Sequence, residues 1–298
     1  MPISPQKLGA RLSKMPRIAA DLQMIMRARR FRGVIGAAEA AGLATSLGVT
    51  VEQLAQKLVP VAQLYAVTPI SHYDVGAVGV GVSGSLYLGA NLEVAGQALS
   101  FTVHAEQAAV ANAWMSGEKR LRALAISAAP CGYCRQFLFE LVGASKLAIN
   151  LKTGSQLLTD YLPNAFGPRS LKQKGGLMQV QNNRLKVARS LDAVGAAALA
   201  AANASYSPYT KTFAGVALKT NGGVICTGRY AENAAYNPSL SPLQAALSLL
   251  VLHGQTFASI TKAVLVEASG PASQIDVTKA VLRSVCSAPL AVYRATVT

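Results

Sequence analysis

A displacement of 139 residues lays one stretch of this 298-residue chain on another without a gap. Pro69, Gly76, Gly84, Gly89 and Glu93 in "PISHYDVGAVGVGVSGSLYLGANLE" fall on Pro208, Gly215, Gly223, Gly228 and Glu232 in "PYTKTFAGVALKTNGGVICTGRYAE". An internal repeat restricts the fold, because both copies must use the same succession of elements. Each copy reads as an Ala-rich helix, a Pro-containing turn, an apolar strand, a Gly turn and a second short strand. Two half-length domains are expected.

In the first copy, Thr50 and Gln53 in "TVEQLAQKL" fit a capping box at the start of the preceding helix. After the hairpin the pattern predicts a helix from about 104, a strand near 122–128, a helix from about 131 and a strand over 147–151. A hairpin followed by β-α units implies an α/β fold: a mixed sheet with helices on its faces, built twice. The expected organisation is a helical N-terminal region over 1–48, a first domain over 49–160, a Gly- and Pro-rich connector over 161–185 and a second domain over 186–298. The N-terminal stretch lacks a continuous apolar core and a small-residue cleavage site, so no secretion signal is expected and the cytoplasm is the default.

Composition bears on which partners to expect. The chain is 51% hydrophobic, enough for a large core, and its mean hydropathy is +0.32. Its apolar runs, such as "AALSLLVL", are nevertheless too short or too Ala-rich for the ~20 residues a bilayer needs. The net charge of +15 arises from 28 Lys and Arg against only 13 Asp and Glu, a shortage of acids rather than a surplus of bases. Basic residues cluster at 27–32 and 118–122, but no long run interleaves them with aromatics as a single-strand binder would. Four cysteines are too few for a disulfide framework. Cys226 and Cys286 stand alone and read as small core residues.

Cys131 and Cys134, in "APCGYCRQF", are different. A Cys-x-x-Cys at a helix start lets two sulfurs point at one centre, and the helix N-terminus favours thiolate. His104 and Glu106 open the helix "TVHAEQAAVANAW". One imidazole and two thiolates are donors zinc prefers, and three protein ligands leave one tetrahedral position open. Glu106, two past a ligand, can lie beside the metal site without being a ligand and exchange protons there. Taken singly, a Cys-x-x-Cys can be redox-active or accidental and a histidine merely polar. The conjunction H-x-E followed by P-C-x-x-C is far more specific. Under the 139-residue displacement, His104, Glu106, Cys131 and Cys134 land on Leu243, Ala245, Gly270 and Ser273, so the second copy is expected to bind no metal this way.

The H-x-E and P-C-x-x-C signature is that of zinc-dependent nucleobase deaminases. "HAEQ", "PCGYCRQ", "GANLE" and "DYLPNAFGP" together resemble the homodimeric, two-domain bacterial cytidine deaminases over nearly the whole chain. The resemblance implies a duplicated three-layer α/β/α core with a small helical N-terminal region, a catalytic first domain and a zinc-free second domain. It implies hydrolysis of cytidine and deoxycytidine to uridine and deoxyuridine plus ammonia, with His104, Cys131 and Cys134 holding Zn2+ and Glu106 shuttling protons. It places Asn91 and Glu93 on the ribose 3′-hydroxyl, Ala105 in the substrate pocket and Tyr73 where the family commonly carries a phenylalanine against the pyrimidine ring. Ala128 stands where relatives carry a tyrosine. A homodimer with shared active sites is also implied, with Phe166 reaching toward a pocket.

Two other functions remain open at this stage. A deaminase of cytosine in RNA or DNA would suit the charge, but a site that binds a free 3′-hydroxyl has little room for a phosphodiester. A non-catalytic zinc-stabilised scaffold would have the metal's fourth position closed by protein.

Overall fold

The structure is a computed structural model that describes residues 4–28 and 31–298. Arg29 and Arg30, in the middle of the first basic cluster, lie outside the described residues. The chain begins with α1 (Pro5–Leu12) and α2 (Ala19–Arg27), followed by the short strand β1 (Val34–Ile35) and α3 (Ala37–Leu47). The first copy then runs α4 (Val51–Ala62), β2 (Gly76–Gly81), β3 (Leu86–Ala90), α5 (Ala105–Met115), β4 (Leu121–Ile126), α6 (Gly132–Leu138), β5 (Ala148–Leu151), β6 (Gly154–Leu157) and α7 (Leu158–Tyr161). The second runs β7 (Leu185–Lys186), α8 (Ala193–Asn203), β8 (Ala214–Thr220), β9 (Ile225–Arg229), α9 (Pro242–Leu252), β10 (Ile260–Ala268), α10 (Ile275–Val285) and β11 (Leu290–Val297).

The strands form two mixed sheets, ordered β1-β3-β2-β4-β5-β6 and β7-β11-β10-β8-β9. In each, a hairpin (β2–β3, β8–β9) pairs antiparallel with the next strand, which pairs parallel with the one after it. The parallel pair needs a crossover, and α6 or α10 supplies it. The helix before each hairpin covers one face and the helix after it covers the other. Gly76 lets β2 approach α4 and its cross-strand neighbours place Gly89 on the opposite face, where β3 meets α5. Gly215 and Gly228 repeat the arrangement with α8 and α9. Thr50 caps α4 as expected: its hydroxyl accepts from the Gln53 N–H at 3.2 Å, and the Gln53 side chain accepts from the Thr50 N–H at 3.0 Å.

Three expectations need correction. The region over 1–48 is not purely helical, because β1 pairs with β3 and extends the first sheet. The stretch over 161–185 is not merely a connector: Leu177 bridges to Leu141, and Leu185 already belongs to the second sheet. The 139-residue register also fails at the helix after each hairpin, and returns in the next strand, where Ile126 faces Ala77 as Leu265 faces Val216. Leu92 bridges Val103 as Ala231 bridges Leu240, so the second copy is two residues shorter in this loop and α9 answers α5 at a displacement of 137. The position equivalent to His104 is therefore Ser241, and that equivalent to Glu106 is Leu243. The conclusion survives, since neither can replace what the first copy holds.

The two copies are not independent bodies. One hydrophobic cluster runs from Leu8 through α4, α5 and the first sheet into α9, β8 and α10. Helices α5 and α9 pack on each other, and each also touches a hairpin strand of the other sheet, α5 against β9 and α9 against β3. Nearly every residue of both is buried, which explains why neither carries a single apolar stripe. Their first turns are tied reciprocally: Gln107 donates to the Pro238 carbonyl at 3.4 Å and Gln244 to the Phe101 carbonyl at 2.5 Å.

Candidate active site

Two helix starts meet at the metal-ligand candidates. His104 is the N-cap of α5, with its N–H donated to the Gln107 side chain at 3.1 Å. Cys131 is the N-cap of α6, and Cys134 lies buried on that helix. The ligand atoms of His104, Cys131 and Cys134 all lie within 4.8 Å of one another, with Cys131 Sγ 3.6 Å from His104 Nδ1. Among the described residues this is the one cluster of three or more His, Cys, Asp or Glu side chains so placed. The donor set fits zinc: one imidazole and two sulfurs from two directions, with no fourth protein ligand in the cluster.

The cysteines are electrostatically unlike. A hydrogen bond from the Cys134 thiol, then the Cys134 and Tyr133 N–H groups and His104, hold the Cys131 thiol down at about 5, against the opposing effect of its partial burial. The same interaction with Cys131, together with burial, pushes the Cys134 thiol up. A cation between them would remove that opposition, because a coordinating thiol is deprotonated. Glu106 is buried next to this cluster, and its burial raises its pKa. Tyr133, between the two cysteines, stacks on the His104 ring at 5.5 Å and 28°.

His104, Glu106 and Cys131 border a cavity of about 340 Å³, in the range of small-molecule sites. His104, Ala105, Glu106, Cys131, Asn91, Glu93, Tyr73, Ala128 and Ala129 line it, together with Ser71, Val75 and Thr102. A larger cavity of about 520 Å³, between α1, the 64–69 segment and the end of α9, has no such metal-ligand set.

Asn91 and Glu93 are both buried and firmly held. Asn91 accepts from the Val75 N–H and donates to the Tyr73 carbonyl, each at 2.9 Å. Glu93 Oε2 accepts from the Ile70 and Ser71 N–H groups at 2.8 and 3.0 Å, and Oε1 accepts from the Ser71 hydroxyl. Burial alone would raise the Glu93 pKa, but the Ser71 hydroxyl and the two N–H groups outweigh it and leave it below the ordinary value. An amide offers two N–H groups and a carboxylate about four acceptor sites. The pair thus retains at least one donor and one acceptor in residues that line the cavity, enough to complement a single hydroxyl.

Tyr73 lines the cavity but is 63% exposed, so water can serve its hydroxyl. Ala128 and Ala129 leave their side of the pocket without an aromatic wall. Phe166 is not brought to this cavity. It is 47% exposed, and its carbonyl accepts from the Gln136 side chain of α6 at 2.8 Å.

Sequence inspection overlooked Ser71 and Tyr133. Ser71 was detectable, since a hydroxyl recurs two residues after the repeated proline, as Thr210 in the second copy. There Glu232 accepts from the Tyr209 N–H, the Thr210 N–H and the Thr210 hydroxyl, reproducing the Glu93 arrangement where no chemistry remains. Holding this turn is therefore a structural duty of the acid in both copies. Elsewhere the second copy differs in residues that answer to the cavity wall. Tyr230 replaces Asn91 and is buried, while Glu267 replaces Ala128 and accepts from the Ser273 hydroxyl, the Gln274 N–H and Arg294.

Comparison with known proteins agrees with this geometry. Family models described as the cytidine and deoxycytidylate deaminase zinc-binding region match residues 50–150 and, separately, 158–279. Curated cytidine deaminases of two Shewanella baltica strains are each 42% identical over 281 residues, covering 94% of this chain and 95% of theirs. The chain belongs to the cytidine deaminase family. Among solved structures, cytidine deaminase from Mycobacterium tuberculosis is 34% identical with a TM-score of 0.36, covering 39% of this chain and 96% of that one. The enzyme from Mycobacterium leprae is 30% identical with a TM-score of 0.35, covering 38% and 97%. The match to 158–279 shows that the zinc-binding region's family model extends into the second copy, although among the described residues the metal cluster occurs only in the first. The matched family models describe a zinc-binding region, and His104, Cys131 and Cys134 are a group that could hold a metal ion. No helix among the described residues is long and apolar enough to cross a membrane.

Proposed function

We propose that this chain hydrolyses cytidine and deoxycytidine to uridine and deoxyuridine, releasing ammonia, as a zinc hydrolase of cytoplasmic pyrimidine salvage. The observation that carries the reading is the convergence of His104, Cys131 and Cys134 beside buried Glu106, at a cavity lined by His104, Glu106, Cys131, Asn91 and Glu93. His104, Cys131 and Cys134 would hold the zinc, which when bound supplies a water of lowered pKa and a fixed positive charge.

Glu106 moves the protons. It takes one from water and delivers it to ring N3, then transfers the second to the departing exocyclic amine, so that one water is consumed and one ammonia leaves. Burial excludes bulk water from Glu106 and keeps the transfer local. Asn91 and Glu93 receive the ribose 3′-hydroxyl through their remaining donor and acceptor, and Tyr73 lies along the ring. Ala105 provides wall at the start of α5. The assembly is a homodimer in which Phe166 of one chain reaches toward the pocket of the other, consistent with its exposure and its absence from the cavity of its own chain.

An ultraviolet assay of the purified protein with cytidine, deoxycytidine, CMP and a short C-containing oligonucleotide tests the reading. Turnover confined to the nucleosides is expected, and turnover of the oligonucleotide would overturn it. 3′-Deoxycytidine should lose roughly 5- to 150-fold in kcat/KM, corresponding to ~1–3 kcal/mol for polar groups left unpaired.

A further inference from the structure

The segment 233–239 of the second copy lies against both helices that carry the metal-site residues. It receives the Gln107 side chain of α5 on the Pro238 carbonyl, and the Tyr133 hydroxyl of α6 on the Asn237 carbonyl at 2.9 Å. Asn233, fully buried, donates to the Gln136 carbonyl at 3.0 Å and accepts from the Gln136 side chain at 3.4 Å. Just past the end of α6, buried Glu140 accepts from the Ala234 N–H at 2.8 Å, the Tyr206 hydroxyl at 2.7 Å and the Tyr209 hydroxyl at 2.6 Å. The segment is itself braced. Asn233 donates its N–H to Ser239 and accepts from the Ala235 N–H, and Tyr236 is held at a φ of +62°, a conformation that persists only where the surroundings impose it.

These contacts are unequal between the two copies. Tyr206, Tyr209 and Asn233 stand where the first copy carries Val67, Ile70 and Val94. The corresponding first-copy loop gives the second copy one side-chain bond, from Gln97 to Ser284, and the Phe101 carbonyl already described. Polar anchoring is thus concentrated on the helix that carries Cys131 and Cys134, and Tyr133 extends it by stacking on His104.

We propose that the second copy is a clamp acting within the chain, in which Tyr133, Glu140, Asn233, Tyr206 and Tyr209 are positioning residues that hold α6 at the metal site. Because α6 has only seven residues and contributes two of the three ligand candidates, small tilts of it would open the ligand triangle. A rigid external anchor prevents them. The zinc part of this inference rests on the proposed function; the anchoring of α6 does not.

The test uses the full chain as wild type, Tyr133→Phe and Tyr133→Phe/Tyr206→Phe/Tyr209→Phe, which remove hydroxyls and keep the rings. Hydrogen exchange is followed in metal-free protein, and zinc release to excess chelator in loaded protein. In the triple variant, α6 amides should lose roughly tenfold in protection while α10 amides keep theirs. Zinc should leave about tenfold faster and kcat should fall more than KM changes. Tyr65→Phe, a buried hydroxyl lost far from α6, should alter none of these. Wild-type exchange in α6 together with wild-type zinc release would overturn the clamp. If the triple variant does not fold, Tyr133→Phe decides by the same two measurements. Selective loosening of α6 in a protein that turns over no cytidine would support the clamp and remove the catalytic reading instead.

Discussion

The roles proposed for Glu106 and the cysteines are separable, and substitution can tell them apart. Glu106→Gln keeps the shape of a buried side chain that is not a ligand, so the variant should hold about one zinc per chain yet lose several orders of magnitude in kcat. Cys131→Ala should lose the metal as well, read by metal analysis of the same preparations. Glu118 offers a different single-residue test. Burial would raise its pKa, but the Ser83 hydroxyl, the Lys119 N–H and the Tyr87 hydroxyl outweigh this and hold it below the ordinary 4.5. A group depressed in the folded state takes up its proton more readily when unfolded. Its contribution is therefore complete above pH 4.5 and is lost as pH falls through the lower folded value. Glu118→Gln should be less stable than wild type in urea near neutrality and converge with it in acid. Curves that stay parallel throughout would contradict the assignment.

At the scale of elements, close packing of helix on strand sets where the site residues sit. A Cβ on Gly89 would lie 2.2 Å from the Ala109 nitrogen and 2.6 Å from the Ala105 carbonyl, both backbone atoms that cannot swing aside. Gly228 faces Ala246 and Pro242 in the same way. Each Gly→Ala should cost ~1–3 kcal/mol by overpacking. The consequences for activity should differ: α5 carries His104 and Glu106 at its first turn, whereas α9 carries Ser241 and Leu243. Thermal melts should show both variants destabilised, with kcat per folded molecule depressed in Gly89→Ala and nearly kept in Gly228→Ala. The basic cluster at 118–122 also resolves at this scale, because Arg122 pairs with Glu52 at 2.8 Å and donates to the Gly81 carbonyl at 3.0 Å as β4 begins. Part of what looked like free positive charge is joining strand to helix.

At the scale of the molecule, the second copy completes the core of the first. Removing it would expose the α5 face that packs on α9 and cut a hydrophobic cluster common to both copies. Residues 1–185 expressed alone should be insoluble or inactive, judged by circular dichroism and nucleoside turnover. A soluble and fully active fragment would contradict the shared core. The intact chain, if it is the homodimer proposed, should sediment near twice its 30.9 kDa.

Short-range pattern carried most of the site. His104 with Glu106, and Cys131 with Cys134, are spaced two and three residues apart, so helix geometry alone brings each pair to one place. Donor chemistry then names the metal that could join them. The repeated prolines and glycines likewise determined that one unit is built twice, since they mark turns and close approaches where backbone shape governs residue choice. Which surfaces of the two copies meet was decided only in the tertiary structure. Helices α5 and α9 are rich in apolar residues without a single stripe, a pattern that demands burial but names no partner. For that reason the two-residue shortening before α9, the single shared core and the contact of Tyr133 with Asn237 were not legible beforehand. Those contacts join residues about a hundred positions apart, and their geometry follows from how two sheets close on one pair of helices, a choice made by the packing of the whole chain and by no local stretch of it.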